Sequence, residues 1–190
     1  MRQNDIQSKR QADKEGGNMM SHGFRCNQRA AILVDSANVF MTSLAMGVKI
    51  DHAKLLERLD DREIVRSILY HVEIDPEREE GFLRRVQSLG FEVKCKPIRT
   101  YPDGKAKADM DVDITVDAIA LSEKCDVITL VTGDGDYVPL VLYLKAMGVK
   151  TEAMAFERNI SHRLRMAVDE FIPITTDILQ PTQGVMVDRP

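Results

Sequence analysis

Val127-Ile-Thr-Leu-Val-Thr-Gly-Asp-Gly-Asp-Tyr137 is the stretch whose reading decides the fold. Its first five residues, apolar but for the central threonine, form a run too short for a helix. A run of this kind is the pattern of a strand buried on both faces. The glycine-rich turn that follows opens a helix running to Met147, and Gly148 ends it. Upstream, Ala30-Ala-Ile-Leu-Val34 repeats the pattern and stops on Asp35.

Between and beyond these runs, strands alternate with helical stretches. Asn38–Met46 and Asp51–Leu59 read as helices, with Asp51 suited to N-capping. Ile64–Val72 reads as a second strand, and Pro76 opens a helix that Gly90 stops. Phe91–Lys96 alternates as a third strand, and Tyr101-Pro-Asp-Gly makes Pro97–Lys107 a hairpin or protruding loop. A helix runs from Asp111 to Ser122, Thr151–Phe156 is a fifth strand, Ser161 caps a last helix to about Glu170, and Phe171–Ile174 is a short sixth strand. This alternation predicts an α/β fold: a three-layer αβα domain around a parallel sheet of five or six strands. The domain is expected over residues 29–175, with a disordered polar arm at 1–28 and a tail at 176–190.

In such a sheet, functional groups gather beyond the carboxyl ends of the strands where strand order reverses. With the order 3-2-1-4-5, Asp35 and Asp134 would face each other there, with Asp136 beside them and Asp111 at the start of the helix feeding the fourth strand. Carboxylates so close repel unless protonated or neutralised by a cation, and an all-oxygen set favours Mg2+ or Mn2+, one ion or two. Asp35, Asp111 and Asp136 each, taken alone, also read as a helix cap. Asp113 and Asp117 share one face of the following helix, where acids are usually solvated surface. Gly133 and Gly135 permit left-handed or close-approach backbone.

The chain has 190 residues, 44% hydrophobic and 29% charged, with a net charge of −4. That charge argues against nucleic-acid binding by bulk positive potential but leaves room for a local strip. Lys94, Lys96, Arg99, Lys105 and Lys107 form one around the third strand and the loop, with Tyr101 available for stacking on a base. No apolar run approaches a membrane span and no secretory pattern opens the chain, so a cytoplasmic location is expected. Cys26, Cys95 and Cys125 have no metal-ligand spacing and read as free thiols, the last two as small buried hydrophobes. A Walker loop is absent, and Asp109-Met-Asp-Val-Asp113 lacks the glycine of a calcium loop at Ile114.

Together these segments resemble an NYN domain of the LabA-like group, a branch of the PIN-like nuclease superfamily. Val34-Asp-Ser-Ala-Asn38 stands for its D-x-x-N, Asp111–Asp117 for its second acidic segment, and Thr132-Gly-Asp-Gly-Asp-Tyr-Val-Pro-Leu140 for S-G-D-G-D-F-x-P-L. Ser161-His-Arg-Leu164 with Ala167 and Asp169-Glu-Phe171 is similar to its last helix. The resemblance implies a Mg2+- or Mn2+-dependent ribonuclease that hydrolyses RNA phosphodiesters with metal-activated water. Asp35, Asp111, Asp134 and Asp136 would be its catalytic metal ligands, supported by Asn38, Asp117, Thr132 and Ser161. RNA, expected single-stranded, is the implied partner, and exposed helices leave a homodimer open. The family's K-G-x-D spacing is altered, with Lys107 one place early and Asp109 in place of glycine. A non-catalytic RNA-binding or regulatory module with the same fold is the alternative.

Overall fold

The computed structural model describes residues 26–100, 106–107 and 109–181. Its central sheet is built from β1 (Cys26–Asp35), β3 (Arg62–Glu73), β4 (Glu92–Pro97), β7 (Val127–Val131), β8 (Lys150–Ala155) and β9 (Glu170–Pro173). The spatial order is β4-β3-β1-β7-β8-β9 and every pairing is parallel. This is the expected order, extended by the sixth strand.

Residues alternate across the sheet into two cores. Ala31, Leu33, Ile68, Tyr70, Ile128 and Leu130 face α4 (Asp111–Ser122), α5 (Val138–Ala146) and α6 (His162–Ala167). Ile32, Val34, Leu69 and Val131 face α1 (Ser36–Ala45), α2 (His52–Arg58) and α3 (Pro76–Ser88). Burial on both faces is why β7 reads as a continuous apolar run. The chain passes from α3 and α5 into the next strand through Gly90 (φ 98°) and Gly148 (φ 82°), a conformation that disfavours any side chain.

Several boundaries differ from expectation. The 3₁₀ turn Gly135–Tyr137 precedes α5, because Asp134 accepts the Asp136 N–H and tightens the first turn. The last helix stops at Ala167, three residues early. Asp169 accepts both the N–H and the hydroxyl of Thr151 and pairs with Lys145, which draws the chain into β9. The tail expected from Thr176 instead begins with a 3₁₀ turn, Thr176–Ile178, that buries Ile178. It continues as β10 (Leu179–Pro181), antiparallel to an unforeseen β2 (Val48–Ile50). Cys125 is buried, but Cys95 is exposed on the edge strand β4. In the expected hairpin, β5 (Arg99–Thr100) pairs antiparallel with β6 (Ala106–Lys107), while Tyr101 and Lys105 lie outside the described residues.

Candidate functional site

Parallel pairing sets Val34 of β1 against Val131 of β7, so Asp35 and Thr132 follow on adjacent strands. Strand order reverses at this point, and its carboxyl-end crevice is where α/β sheets bind ligands. Asp35 caps α1, its Oδ1 accepting the Asn38 N–H at 3.1 Å. Its Oδ2 accepts a long 3.4 Å hydrogen bond from the Thr132 hydroxyl, which itself accepts the Asp134 N–H at 3.3 Å. Asp134 Oδ1 accepts the Asp136 N–H at 2.9 Å. The buried Tyr137 then donates its hydroxyl to Asp111 Oδ1 at 2.8 Å, tying the start of α4 to the same turn. Asp111 is the first residue of α4, and Met110 occupies the cap position without a side-chain bond. The capping alternative for Asp111 therefore fails.

Burial first, then the negative charges of Asp111 and Asp134, raise the Asp35 carboxyl above its ordinary range, against the Asn38 N–H that lowers it. Burial, then Asp109, Asp134 and Asp136, raise Asp111 while the Tyr137 hydroxyl opposes. Among the described residues no lysine or arginine ion-pairs with Asp35, Asp111, Asp134 or Asp136. This donor chemistry fits a hard divalent cation. Among the same residues, however, no three Asp, Glu, His or Cys side chains converge closely enough to hold an ion as they stand. The electrostatics and the spacing thus point differently.

Asp117 stands apart from these acids. It accepts the Tyr70 hydroxyl and the Lys94 ammonium, each at 2.6 Å, and although burial opposes it, these partners hold its carboxyl below the usual range. Lys96 likewise bonds Asp113 at 2.5 Å and the Asp109 carbonyl at 3.2 Å. Two lysines of the expected RNA strip are thereby neutralised. Arg99 and Lys107 sit in the β5–β6 ribbon, and Lys105 lies outside the described residues.

Asn38 braces the site. Its Oδ1 accepts the Gly133 N–H at 2.9 Å and the Asn159 amide at 3.2 Å. A Cβ on Gly133 would lie 2.6 Å from the Asn159 carbonyl oxygen, and one on Gly135 would lie 2.5 Å from Ser161 Oγ. Neither glycine has positive φ, so close approach is what requires them. Ser161 occupies the cap position of α6 but makes no side-chain capping bond; its N–H donates to the Gly133 carbonyl at 2.8 Å. Sequence reasoning missed Asn159 and Tyr137 as site supports. Only the aromatic in the motif's last position hinted at the second. A surface concavity lined by Leu56, Ile64, Arg66 and Glu92 lies at the amino ends of β3 and β4, away from these acids.

A doubly wound parallel sheet with unneutralised carboxylates at its switch point makes this an open α/β domain with its candidate site at the carboxyl ends of the strands. The chain belongs to the NYN domain family, whose model matches residues 29–176. It is 28% identical over 155 residues to the low amplitude and bright protein LabA of Synechococcus elongatus, covering 77% of this chain and 83% of that one. The crystal structure of a protein of unknown function from Vibrio parahaemolyticus superposes with a TM-score of 0.75 at 31% identity, over 81% of this chain and 97% of that chain. Among the described residues no helix is long and apolar enough to cross a membrane.

Proposed function

We propose that this chain is a metal-dependent ribonuclease of the cytoplasm that hydrolyses phosphodiesters of single-stranded RNA at the crevice between β1 and β7. The observation that carries this reading is the set of four aspartates on one hydrogen-bonded frame, two of them, Asp35 and Asp111, raised by burial and by neighbouring aspartates, with no basic partner among the described residues. Asp35, Asp111 and Asp134 would hold Mg2+ or Mn2+, and Asp136 would be a further ligand or orient water. A bound divalent ion would polarise the phosphoryl group and activate water there. Thr132 and Asn38 hold Asp35 and the Gly133 turn in register, while Tyr137 fixes one oxygen of Asp111 and leaves the other available. Arg99 and Lys107, whose backbones form the ribbon, would add charge along the strand, and Lys105, expected to join them, lies outside the described residues.

The carboxylate spacing favours one alternative, an RNA-binding module that does not turn over. Purified protein given end-labelled single-stranded RNA and Mn2+, beside Asp134→Asn, separates the two. The ribonuclease reading expects cleavage that EDTA abolishes and that the variant lowers by at least about 100-fold, the scale of several kcal/mol of lost charge stabilisation. Equal cleavage by both proteins refutes the mechanism, and metal-independent binding without cleavage selects the alternative.

A further inference from the structure

An RNA strand approaching four uncompensated carboxylates needs cations beside them, and Lys94 and Lys96 are already committed to Asp117 and Asp113. The opposite side of the crevice differs. The segment Arg158-Asn-Ile-Ser-His-Arg163 runs from the loop after β8 into the first turn of α6 and packs directly on the acidic turn. Asn159 meets Gly133 and the side chain of Asn38, Ser161 meets Gly135, and the Ser161 N–H bonds the Gly133 carbonyl. On either side of these contacts, Arg158, His162 and Arg163 are exposed, and among the described residues no carboxylate pairs with Arg158 or Arg163. Arg165, a little further on, is instead paired with Glu157 and stacked 4.5 Å over the Phe171 ring.

We infer that the Arg158–Arg163 segment is the phosphate-binding lip of the site, where Arg158 and Arg163 grip the backbone of single-stranded RNA next to the Gly133–Asp136 turn. The inference rests on RNA being the substrate. An arginine without an ion-pair partner gains a phosphate at no cost of breaking an existing bridge, whereas Lys94 and Lys96 would have to release theirs. The contacts of Asn159 and Ser161 make the lip and the acidic turn one rigid unit, so a phosphate held by the lip is held relative to Asp134 and Asp136.

The test is binding of a fluorescent single-stranded oligoribonucleotide in EDTA, measured by anisotropy over a range of salt. Each phosphate contact adds ~0.7 to the slope of log K against log salt for single strands. Arg158→Gln/Arg163→Gln is therefore expected to lose about 1.4 of slope for two contacts, with the loss restored in Arg158→Lys/Arg163→Lys. Lys94→Gln/Lys96→Gln should leave the slope nearly unchanged, and melting curves confirm that each variant is folded. An unchanged slope in the arginine variant, a loss confined to the lysine variant, or no binding by the unaltered chain overturns the inference. Because EDTA excludes cleavage, a chain that binds with the expected slopes but never cuts with Mn2+ supports the lip and refutes the nuclease reading alone.

Discussion

Gly133→Ala places a methyl group 2.6 Å from the Asn159 carbonyl oxygen and 3.0 Å from its carbonyl carbon. Ordinary C···O contacts begin near about 3.3 Å, so the overlap is roughly 0.7 Å against backbone that cannot rotate away. Such overpacking costs about 1–3 kcal/mol. Displacing the turn also loosens the Gly133 N–H bond to Asn38 and the Ser161 N–H bond to Gly133, each contributing about 1 kcal/mol. Against this, alanine restricts the unfolded chain and returns ~0.4–1 kcal/mol, because Gly133 does not need positive φ. The net loss is about 2 kcal/mol, or about 4–8 °C in Tm for a chain of this size. Metal-dependent cleavage should fall further, since a shift of Asp134 by about 1 Å costs on the order of 100-fold. Differential scanning calorimetry with Gly90→Ala as the comparison isolates the cause. Gly90 has open space around its Cβ position but φ of 98°, so its roughly 1 kcal/mol cost is conformational and leaves cleavage intact. Gly135→Ala should be rescued by Ser161→Gly, which removes both the Oγ at 2.5 Å and the Cβ at 3.1 Å. A Gly133→Ala protein melting within about 1 °C of the parent would refute close approach as the reason for the motif's glycines.

Asp35→Asn keeps an acceptor for the Asn38 N–H and removes one of the repelling charges. The folded pKa of Asp35 lies above its unfolded value, so its ionisation costs stability; the cost is absent below the unfolded value and complete above the folded one. In EDTA at neutral pH the variant should melt above the parent, with the difference vanishing at low pH. Mn2+ at about 100 times its Kd should stabilise only the parent, by ~2.7 kcal/mol. Asp169 has the opposite sign. Burial opposes it, but Lys145 and Thr151 lower its pKa from 3.8 to about 2. Its contribution is present above the unfolded value and lost as pH falls through about 2, so Asp169→Asn should flatten the acid limb of an unfolding curve between these values.

What was legible in the sequence follows the range of the forces involved. β1 and β7 could be read because burial on both faces imposes an apolar run, and Asp35 and Asp134 because strand ends are local features. β2 could not, because its partner β10 lies about 130 residues downstream and three residues carry no period. The role of Tyr137 required knowing that α4 begins above the turn, and that of Asn159 that β8 ends beside it. The lysines show the same limit most clearly. Lys94 and Lys96 are two apart on a strand, a separation of ~6.6 Å, and Asp113 and Asp117 are four apart on a helix, a rise of ~6 Å. The two spacings match, and the observed pairs, Lys94 with Asp117 and Lys96 with Asp113, are those of a strand and helix running in opposite directions. Each spacing was visible in isolation. Only the placement of α4 beside β4 turns two lysines of the apparent RNA strip, Lys94 and Lys96, into an ion-pair ladder.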